Sequence, residues 1–169
     1  MTINPQKIYI ADFVTSAGRF QMTLFAKSDP RATNNFVFLA NHRFFDGDTF
    51  FRVIKPFMIQ TGDPLNRGTG GPGYSWTGSR PHLPYQPGIV AMANQGAPNS
   101  NGSQFFICTG LASENLNVTP NYTELGRITQ GMSVVEKIAA GKVRKNPQTH
   151  EISQPVHPVV IRRIRILVR

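Results

Sequence analysis

A guanidinium and a carboxamide stand out in residues 50–63, FFRVIKPFMIQTGD, because most of the other side chains there belong to a buried core. Lys55-Pro56 interrupts the apolar residues as a tight turn does, since proline fixes φ and favours the second position of a turn. If the chain folds back at this point, Arg52 and Gln60 become near-opposite neighbours on two antiparallel strands. The two polar groups would then stand side by side over a floor of phenylalanine and methionine.

Arg52 requires a partner in that position, because a half-buried charge is costly unless it is paired. No carboxylate lies within easy reach along the chain, so the pattern suggests a site that receives the carbonyl groups of a ligand. The alternative is an edge arginine whose aliphatic part covers a core strand while its charged end reaches solvent. The residues of this segment alone leave both interpretations open.

The length and composition are those of one globular domain. With 169 residues and 18.8 kDa we assign residues 1–169 to it, and hydrophobic residues make up 40%, enough for a real core. No apolar run approaches a membrane span, and the N-terminus MTINPQKIYIADF lacks the features of a signal peptide, so we expect a cytoplasmic protein. The single cysteine, Cys108, lies in the apolar run FFIC, where we expect a buried and unreactive thiol.

The net charge of +9 raises the question of a nucleic-acid site. Seven basic residues follow Gly141: Lys142, Arg144, Lys145, Arg162, Arg163, Arg165 and Arg169. There is, however, no Lys/Arg-rich helix, no zinc-ligand spacing and no aromatic-studded RNA-binding motif. The arginines near the end alternate with valine, isoleucine and leucine, which favours the solvent face of a last strand over a nucleic-acid site.

The periodicity predicts many strands and two helices. Residues 7–14 and 19–25 form a predicted hairpin, and further strands are expected within 50–60, at 89–93, at 104–109 and within 156–168. Asp29-Pro30 predicts a helix start, with one apolar face running to Asn41, and a second helix is expected from about Met132 to Ala140, ended by Gly141. The glycine- and proline-rich residues 62–88 are interpreted as an ordered loop. This order favours an antiparallel barrel with helices at its ends.

The sequence lacks the residue patterns that phosphate binding, metal binding and hydrolysis usually require. GTGGPG has no Lys-Ser/Thr and does not lead from a strand into a helix, which disfavours a phosphate loop. The histidines are scattered without metal-ligand spacing, so no metal site is expected: His42, His82, His150 and His157. No Ser-His-Asp or paired-carboxylate arrangement is visible either, which leaves hydrolysis without candidates.

Five segments occur in order along the chain: FFRVIKPFMIQTGD, GTGGPG, PGIVAMAN, NSNGSQFFI and YTELGRITQGMSVVEKI. Together they resemble the cyclophilins, which are peptidyl-prolyl cis/trans isomerases, and PNYT before the last segment resembles the compact bacterial type. The resemblance implies a mainly β fold, a closed eight-stranded antiparallel barrel capped by two α-helices, with the site on an outer face. It implies an isomerase that assists protein folding by accelerating rotation about X-Pro bonds and that uses no cofactor.

The resemblance also implies the site residues. Arg52 matches the catalytic arginine of the family, and Gln60 matches its glutamine. The proline pocket corresponds to Phe57, Met58, Phe106 and Leu116, with Tyr122 at its wall. Ala93 and Asn94 match positions that contact the residues before the substrate proline, Asn94 through its backbone. A neighbouring pocket would be bordered by Thr69, Gln95, Ser100 and Gln104.

Three positions depart from the family pattern. Phe51 and Tyr122 stand where the family usually has histidines, although a tyrosine ring can still pack on proline. Asn115 replaces the tryptophan associated with cyclosporin binding, so we expect weak cyclosporin binding with isomerase activity retained. The alignment of residues 110–120, and with it the assignment of Asn115 and Leu116, has alternatives.

The expected partners are proline-containing peptides and unfolded or folded proteins, and we expect a monomer that binds neither membranes nor nucleic acid. The second hypothesis is a proline-peptide binding module with weak or no catalysis. Arg52, Gln60, Phe57 and Phe106 favour the enzyme, whereas Phe51 and Asn115 leave room for the module.

Overall fold

The computed structural model describes all 169 residues and contains ten strands, two α-helices and one 3-10 helix. The strands are β1 Tyr9–Thr15, β2 Gly18–Leu24, β3 Arg52–Ile54, β4 Met58–Thr61, β5 Ile89–Met92, β6 Phe105–Cys108, β7 Glu124–Gln130, β8 Val143–Lys145, β9 Ile152–Pro155 and β10 Ile161–Val168. The helices are α1 Pro30–Asn41 and α2 Met132–Ala139, and the 3-10 helix spans Leu111–Val118.

Eight strands form one antiparallel sheet in the order β10-β1-β2-β7-β5-β6-β4-β3, and β8 pairs with β9 in a separate hairpin. The edge strands β3 and β10 share no ladder. The segments that lead into them are joined by an isolated bridge between Thr49 and Val160 and by backbone hydrogen bonds such as Ile161 N–H to Asp48 O, 2.8 Å. The fold is therefore a curled sheet, and the predicted closed barrel is overstated.

The core lies inside the curl of this sheet and is rich in aromatic rings. Phe13 on β1 stacks on Phe20 of β2 at 4.5 Å between ring centroids, and Phe36 of α1 meets Phe105 of β6 edge-on at 5.5 Å. The predicted apolar face of α1 is confirmed, since Ala32, Phe36, Leu39 and Ala40 are all buried. Aromatic pairs of this geometry add to the stability from area burial.

The predicted first hairpin, both helices and the strands of residues 50–60, 89–93 and 104–109 are confirmed to within a few residues. Asp29 precedes α1 as expected, but its carboxylate does not cap the helix; it accepts a hydrogen bond from the Ser79 hydroxyl. The side chain therefore ties the helix start to the loop of residues 62–88, which carries no strand of the sheet.

The region after α2 differs most from the sequence prediction. A single strand was expected within residues 156–168, whereas the chain forms the β8–β9 hairpin first and begins β10 only at Ile161. Pro158 explains the late start of β10, because proline has no N–H for a sheet ladder. Arg162, Arg163 and Arg165 are exposed on β10, as the predicted solvent face requires. No helix is both long enough and apolar enough to cross a membrane.

Candidate active site

The predicted pairing of Arg52 with Gln60 is confirmed. The two residues are register partners on β3 and β4, and the connection between these strands is closed by a hydrogen bond from Phe57 N–H to Ile54 O of 2.8 Å. Arg52 Nη1 donates to Gln60 Oε1 at 3.1 Å and lies 3.9 Å from Met58 Sδ. A charged donor thus stands beside an apolar wall, as the turn at Lys55-Pro56 predicts.

A chain of side-chain amides extends from this pair. Gln60 Nε2 donates to Gln104 Oε1 at 3.0 Å, and Gln104 Nε2 donates to the backbone oxygen of Gly70 at 2.9 Å. Each amide has one defined partner on each side, so the Gln60 oxygen is turned towards Arg52. Gln104 therefore orients Gln60, and the Gly70 carbonyl fixes the end of the chain.

The loop that carries Gly70 is organised by a buried carboxylate. Asp63 accepts backbone N–H groups from Leu65 at 2.8 Å, Gly68 at 2.6 Å and Arg67 at 3.2 Å. Burial would raise the pKa of Asp63, yet these backbone hydrogen bonds hold it below the ordinary value, so the group is charged at neutral pH. A side chain at Gly70 would lie 2.0 Å from Asp63 Oδ1, which explains the glycine there.

The predicted proline pocket lies in one apolar cluster beside Arg52. Met58 and Phe106 are buried in it, and the half-buried side chains that pack against it include Phe57, Ala93, Leu116 and Tyr122. Phe106 is the register partner of Gln60 across β4 and β6, so the polar chain and the apolar cluster share a border. The position of Leu116 in this cluster supports the alignment chosen for residues 110–120.

Tyr122 forms one wall of the cluster. Its ring meets Phe106 edge-on, with centroids 5.3 Å apart and an interplanar angle of 89°. The hydroxyl of the buried Tyr85 donates to Tyr122 O at 2.5 Å and accepts from Tyr122 N–H at 2.9 Å, which fixes the backbone that carries this ring. Tyr85 was not among the predicted site residues, because it lies in a loop with no sequence pattern that would identify it.

Ala93 and Asn94 follow β5 at the edge of the cluster. Ala93 N–H donates to Gln104 O at 3.0 Å, whereas the backbone N–H and C=O of Asn94 make no hydrogen bond within the chain. The Asn94 side chain is used internally, since it donates to Asn121 O at 3.0 Å and accepts from Gly96 N–H at 2.9 Å. The backbone N–H and C=O of Asn94 are therefore without a partner in the chain, while its side chain is fully used.

The expected neighbouring pocket is a polar cavity of about 520 Å³ next to the apolar cluster. Its lining includes all four predicted border residues, Thr69, Gln95, Ser100 and Gln104, together with Gln60, Ala93 and Asn94. Gln95 N–H donates to the Ser100 hydroxyl at 2.8 Å, which holds one wall together. Gln104 belongs to both the cavity and the amide chain, so the two compartments meet at this residue.

Arg52 has a carboxylate partner that the neighbouring sequence does not indicate. Glu151 accepts from Arg52 Nε at 2.8 Å through Oε1 and from Nη2 at 2.9 Å through Oε2. The two residues are 99 positions apart and meet only through the β8–β9 hairpin, which packs on β3. No motif surrounds Glu151 that would have identified it.

The remaining sequence predictions concern Cys108, Phe51 and Asn115. Cys108 is buried as expected, and burial raises the pKa of its thiol to about 12, which favours the neutral, less nucleophilic form. Phe51 is half-buried beside Gly68 and lies outside the apolar cluster. Asn115 is exposed on the 3-10 helix, one residue before Leu116.

Comparison with known proteins agrees with this geometry. Residues 10–166 match the family model of the cyclophilin type peptidyl-prolyl cis-trans isomerases. Peptidyl-prolyl cis-trans isomerase B of Streptomyces anulatus is 37% identical over 94% of this chain and 97% of its own length. A peptidyl-prolyl cis-trans isomerase of Arabidopsis thaliana is 34% identical over 90% of each protein.

A crystal structure of a cyclophilin type peptidyl-prolyl cis-trans isomerase from Cryptosporidium parvum superposes with a TM-score of 0.82. It is 28% identical and covers 96% of this chain and 98% of that one. A second structure of that protein, in the presence of the dipeptide Ala-Pro, also has a TM-score of 0.82, with 29% identity over 94% and 98% of the two chains. The sequence, the fold and the relatives agree: the chain belongs to the cyclophilin-type peptidyl-prolyl cis/trans isomerases, in their compact form.

Proposed function

We propose that Arg52 and Gln60 are the catalytic pair with which this isomerase accelerates rotation about X-Pro bonds. The observation that carries the proposal is the position of Arg52 Nη1, 3.1 Å from Gln60 Oε1 and 3.9 Å from Met58 Sδ at the wall of the apolar cluster. A proline ring seated in that cluster would bring its amide next to the guanidinium.

The reaction breaks no covalent bond. It requires the enzyme to bind the twisted amide and to stabilise the charge that develops on it. The barrier of about 18–20 kcal/mol arises from the partial double-bond character of the amide C–N bond. An enzyme lowers it by binding the twisted amide more tightly than either planar form. Arg52 donates hydrogen bonds to the substrate where charge develops as amide resonance is lost, and Gln60 keeps the guanidinium in place.

The apolar cluster supplies the grip on the ring while the preceding carbonyl rotates. Phe57, Met58, Phe106, Leu116 and Tyr122 present aromatic and aliphatic surface beside Arg52. Once a substrate covers this surface and displaces water, the hydrogen bonds of Arg52 become stronger than in bulk solvent. The Ala-Pro dipeptide used with the Cryptosporidium parvum relative is a ligand of the kind that this pocket would take.

Asn94 would hold the residues before the proline through its unpaired backbone N–H and C=O, as in the addition of a short strand to a sheet edge. The polar cavity then receives a side chain further upstream. Thr69, Gln95, Ser100 and Gln104 offer hydroxyl and amide groups and no charge, so small or polar side chains fit best.

The domain extent, location, oligomeric state and drug binding of this chain are proposed from the same family resemblance. We propose that residues 1–169 act as one cyclophilin-like domain and as a cytoplasmic monomer, with unfolded and folded proteins as substrates. Cyclosporin would bind weakly, because exposed Asn115 stands in place of the tryptophan that the resemblance associates with the drug. The basic face of β10 would be solvated, and a nucleic-acid gel shift with steep salt dependence would contradict that assignment.

The alternative is a proline-peptide binding module, and a protease-coupled assay on a series of X-Pro peptides separates the two. The enzyme predicts kcat/KM values that vary with X and with the residues upstream. Saturable peptide binding without acceleration of the cis to trans conversion would favour the module.

A further inference from the structure

Glu151 restricts the catalytic guanidinium in a specific way. Its carboxylate binds the edge formed by Nε and Nη2, with both distances below 3 Å, and Gln60 takes one N–H of Nη1. An arginine side chain has five N–H groups. One N–H each on Nη1 and Nη2 therefore remains without an oxygen acceptor, and Nη1 has the sulfur of Met58 at 3.9 Å.

The carboxylate is presented by an ordered turn. Asn146 Oδ1 accepts from Gln148 N–H at 2.8 Å and from Thr149 N–H at 3.2 Å, and the Asn146 backbone pairs with Glu151 O at 2.7 Å and His150 N–H at 2.8 Å. These bonds fix the connection between β8 and β9 around Glu151. The partner of Arg52 is thus supplied by the hairpin that packs against β3.

Glu151 is charged under working conditions. The hydrogen bonds from Arg52 hold its pKa below the ordinary value of a glutamate, while burial acts in the opposite direction. Arg52 and Glu151 are about equally accessible, with 34% and 35% of each side chain exposed. Solvent screens the charge of a pair as exposed as this, so its main effect is on orientation.

We propose that Glu151 is a positioning residue for catalysis, which holds Arg52 so that the N–H groups not bonded to Glu151 or Gln60 point at the rotating prolyl bond. Arginine loses much rotamer freedom when it is fixed, and a carboxylate that fixes it before the substrate arrives removes that loss from the reaction. The inference rests on the proposed role of Arg52. It adds a residue of the β8–β9 hairpin to the catalytic apparatus.

Glu151→Gln tests the inference, because it keeps the shape and one acceptor oxygen but removes the bidentate carboxylate. We expect kcat to fall roughly fivefold to tenfold, with peptide affinity changed less than about twofold. Glu151→Asp keeps the charge but is one methylene too short for the same contact, so its kcat should also fall. Glu136→Gln is the matched control, since Glu136 is exposed on α2 and has no ion-pair partner.

A second measurement reports on orientation directly. The Arg52 Nε–H resonance in NMR spectra should exchange slowly with water in the wild type and faster in Glu151→Gln. An unchanged kcat in Glu151→Gln would overturn the inference, and an increased kcat would show that the carboxylate competes with substrate for Arg52. If the wild type lacks isomerase activity, the proposed function fails instead, so the two failures are distinguishable.

Discussion

Arg52→Ala removes the group on which the proposed mechanism depends. After its bonds to Glu151 and Gln60 the side chain has two N–H groups without an oxygen acceptor, and Met58 Sδ lies 3.9 Å from Nη1. At about 1.5 kcal/mol for each hydrogen bond from a charged donor, their loss raises the barrier by about 3 kcal/mol. Each 1.36 kcal/mol is tenfold in rate, so kcat/KM should fall roughly a hundredfold or more.

The same substitution should have little effect on folding. The pair of Arg52 with Glu151 is about one-third exposed, and pairs of this kind contribute less than about 1 kcal/mol to stability. Thermal or urea unfolding of Arg52→Ala should therefore be close to that of the wild type. A loss of activity without a loss of stability in Arg52→Ala would distinguish a catalytic residue from one that only supports β3.

The assay is the initial rate of cis to trans conversion of an X-Pro peptide, coupled to a protease that cleaves only the trans form. Arg163→Ala is the matched control, because it removes an equal charge from the exposed face of β10. Activity of Arg52→Ala within about threefold of the wild type would refute the role of the guanidinium. Equal losses in both variants would indicate a general charge effect instead.

Three further predictions concern binding and stability. Phe106→Ala should mainly raise the Kd for proline peptides, measured well below its melting temperature, and unchanged affinity would argue against the pocket. Wild-type protein should bind cyclosporin weakly in calorimetry and Asn115→Trp more tightly; tight binding by the wild type would contradict this. Burial, then the nearby Asp63 and Asp46, raises the pKa of Asp48 from 3.8 to about 7, so the folded state retains a proton that the unfolded state releases. This contribution to stability is full below about pH 4 and is lost as pH rises through about 7. Asp48→Asn lacks the contribution, so its stability relative to wild type, measured by urea unfolding, should increase over that pH range. A difference that stays constant with pH would contradict this prediction.

The sequence predicts the central strands well because their signals are local. The turn at Lys55-Pro56 sets the register that places Arg52 opposite Gln60, and the apolar side chains on either side require the same register. The apolar cluster proposed as the proline pocket could be inferred only through family motifs, since Phe57 and Phe106 come from segments that no periodicity argument brings together.

The partner of Arg52 was not predictable from these signals. Glu151 reaches it only because the β8–β9 hairpin folds back onto β3, and the sequence after α2 predicts a strand within residues 156–168 but no hairpin before it. Tyr85 was missed for a similar reason: its hydroxyl acts on the Tyr122 backbone across 37 residues. The predicted closed barrel is overstated because closure would require β3 and β10 to pair as strands. Only the segments before them are joined, by the bridge between Thr49 and Val160.

The central claim is that this site rotates X-Pro bonds and does not merely bind them. NMR exchange spectroscopy of one X-Pro peptide, with the protein at a small fraction of the peptide concentration, tests it most directly. The wild type should give exchange peaks between the cis and trans signals, and Arg52→Ala should lose most of their intensity while still shifting the peptide resonances at higher protein concentration. Shifts without exchange peaks in the wild type would contradict the account and identify a binding module.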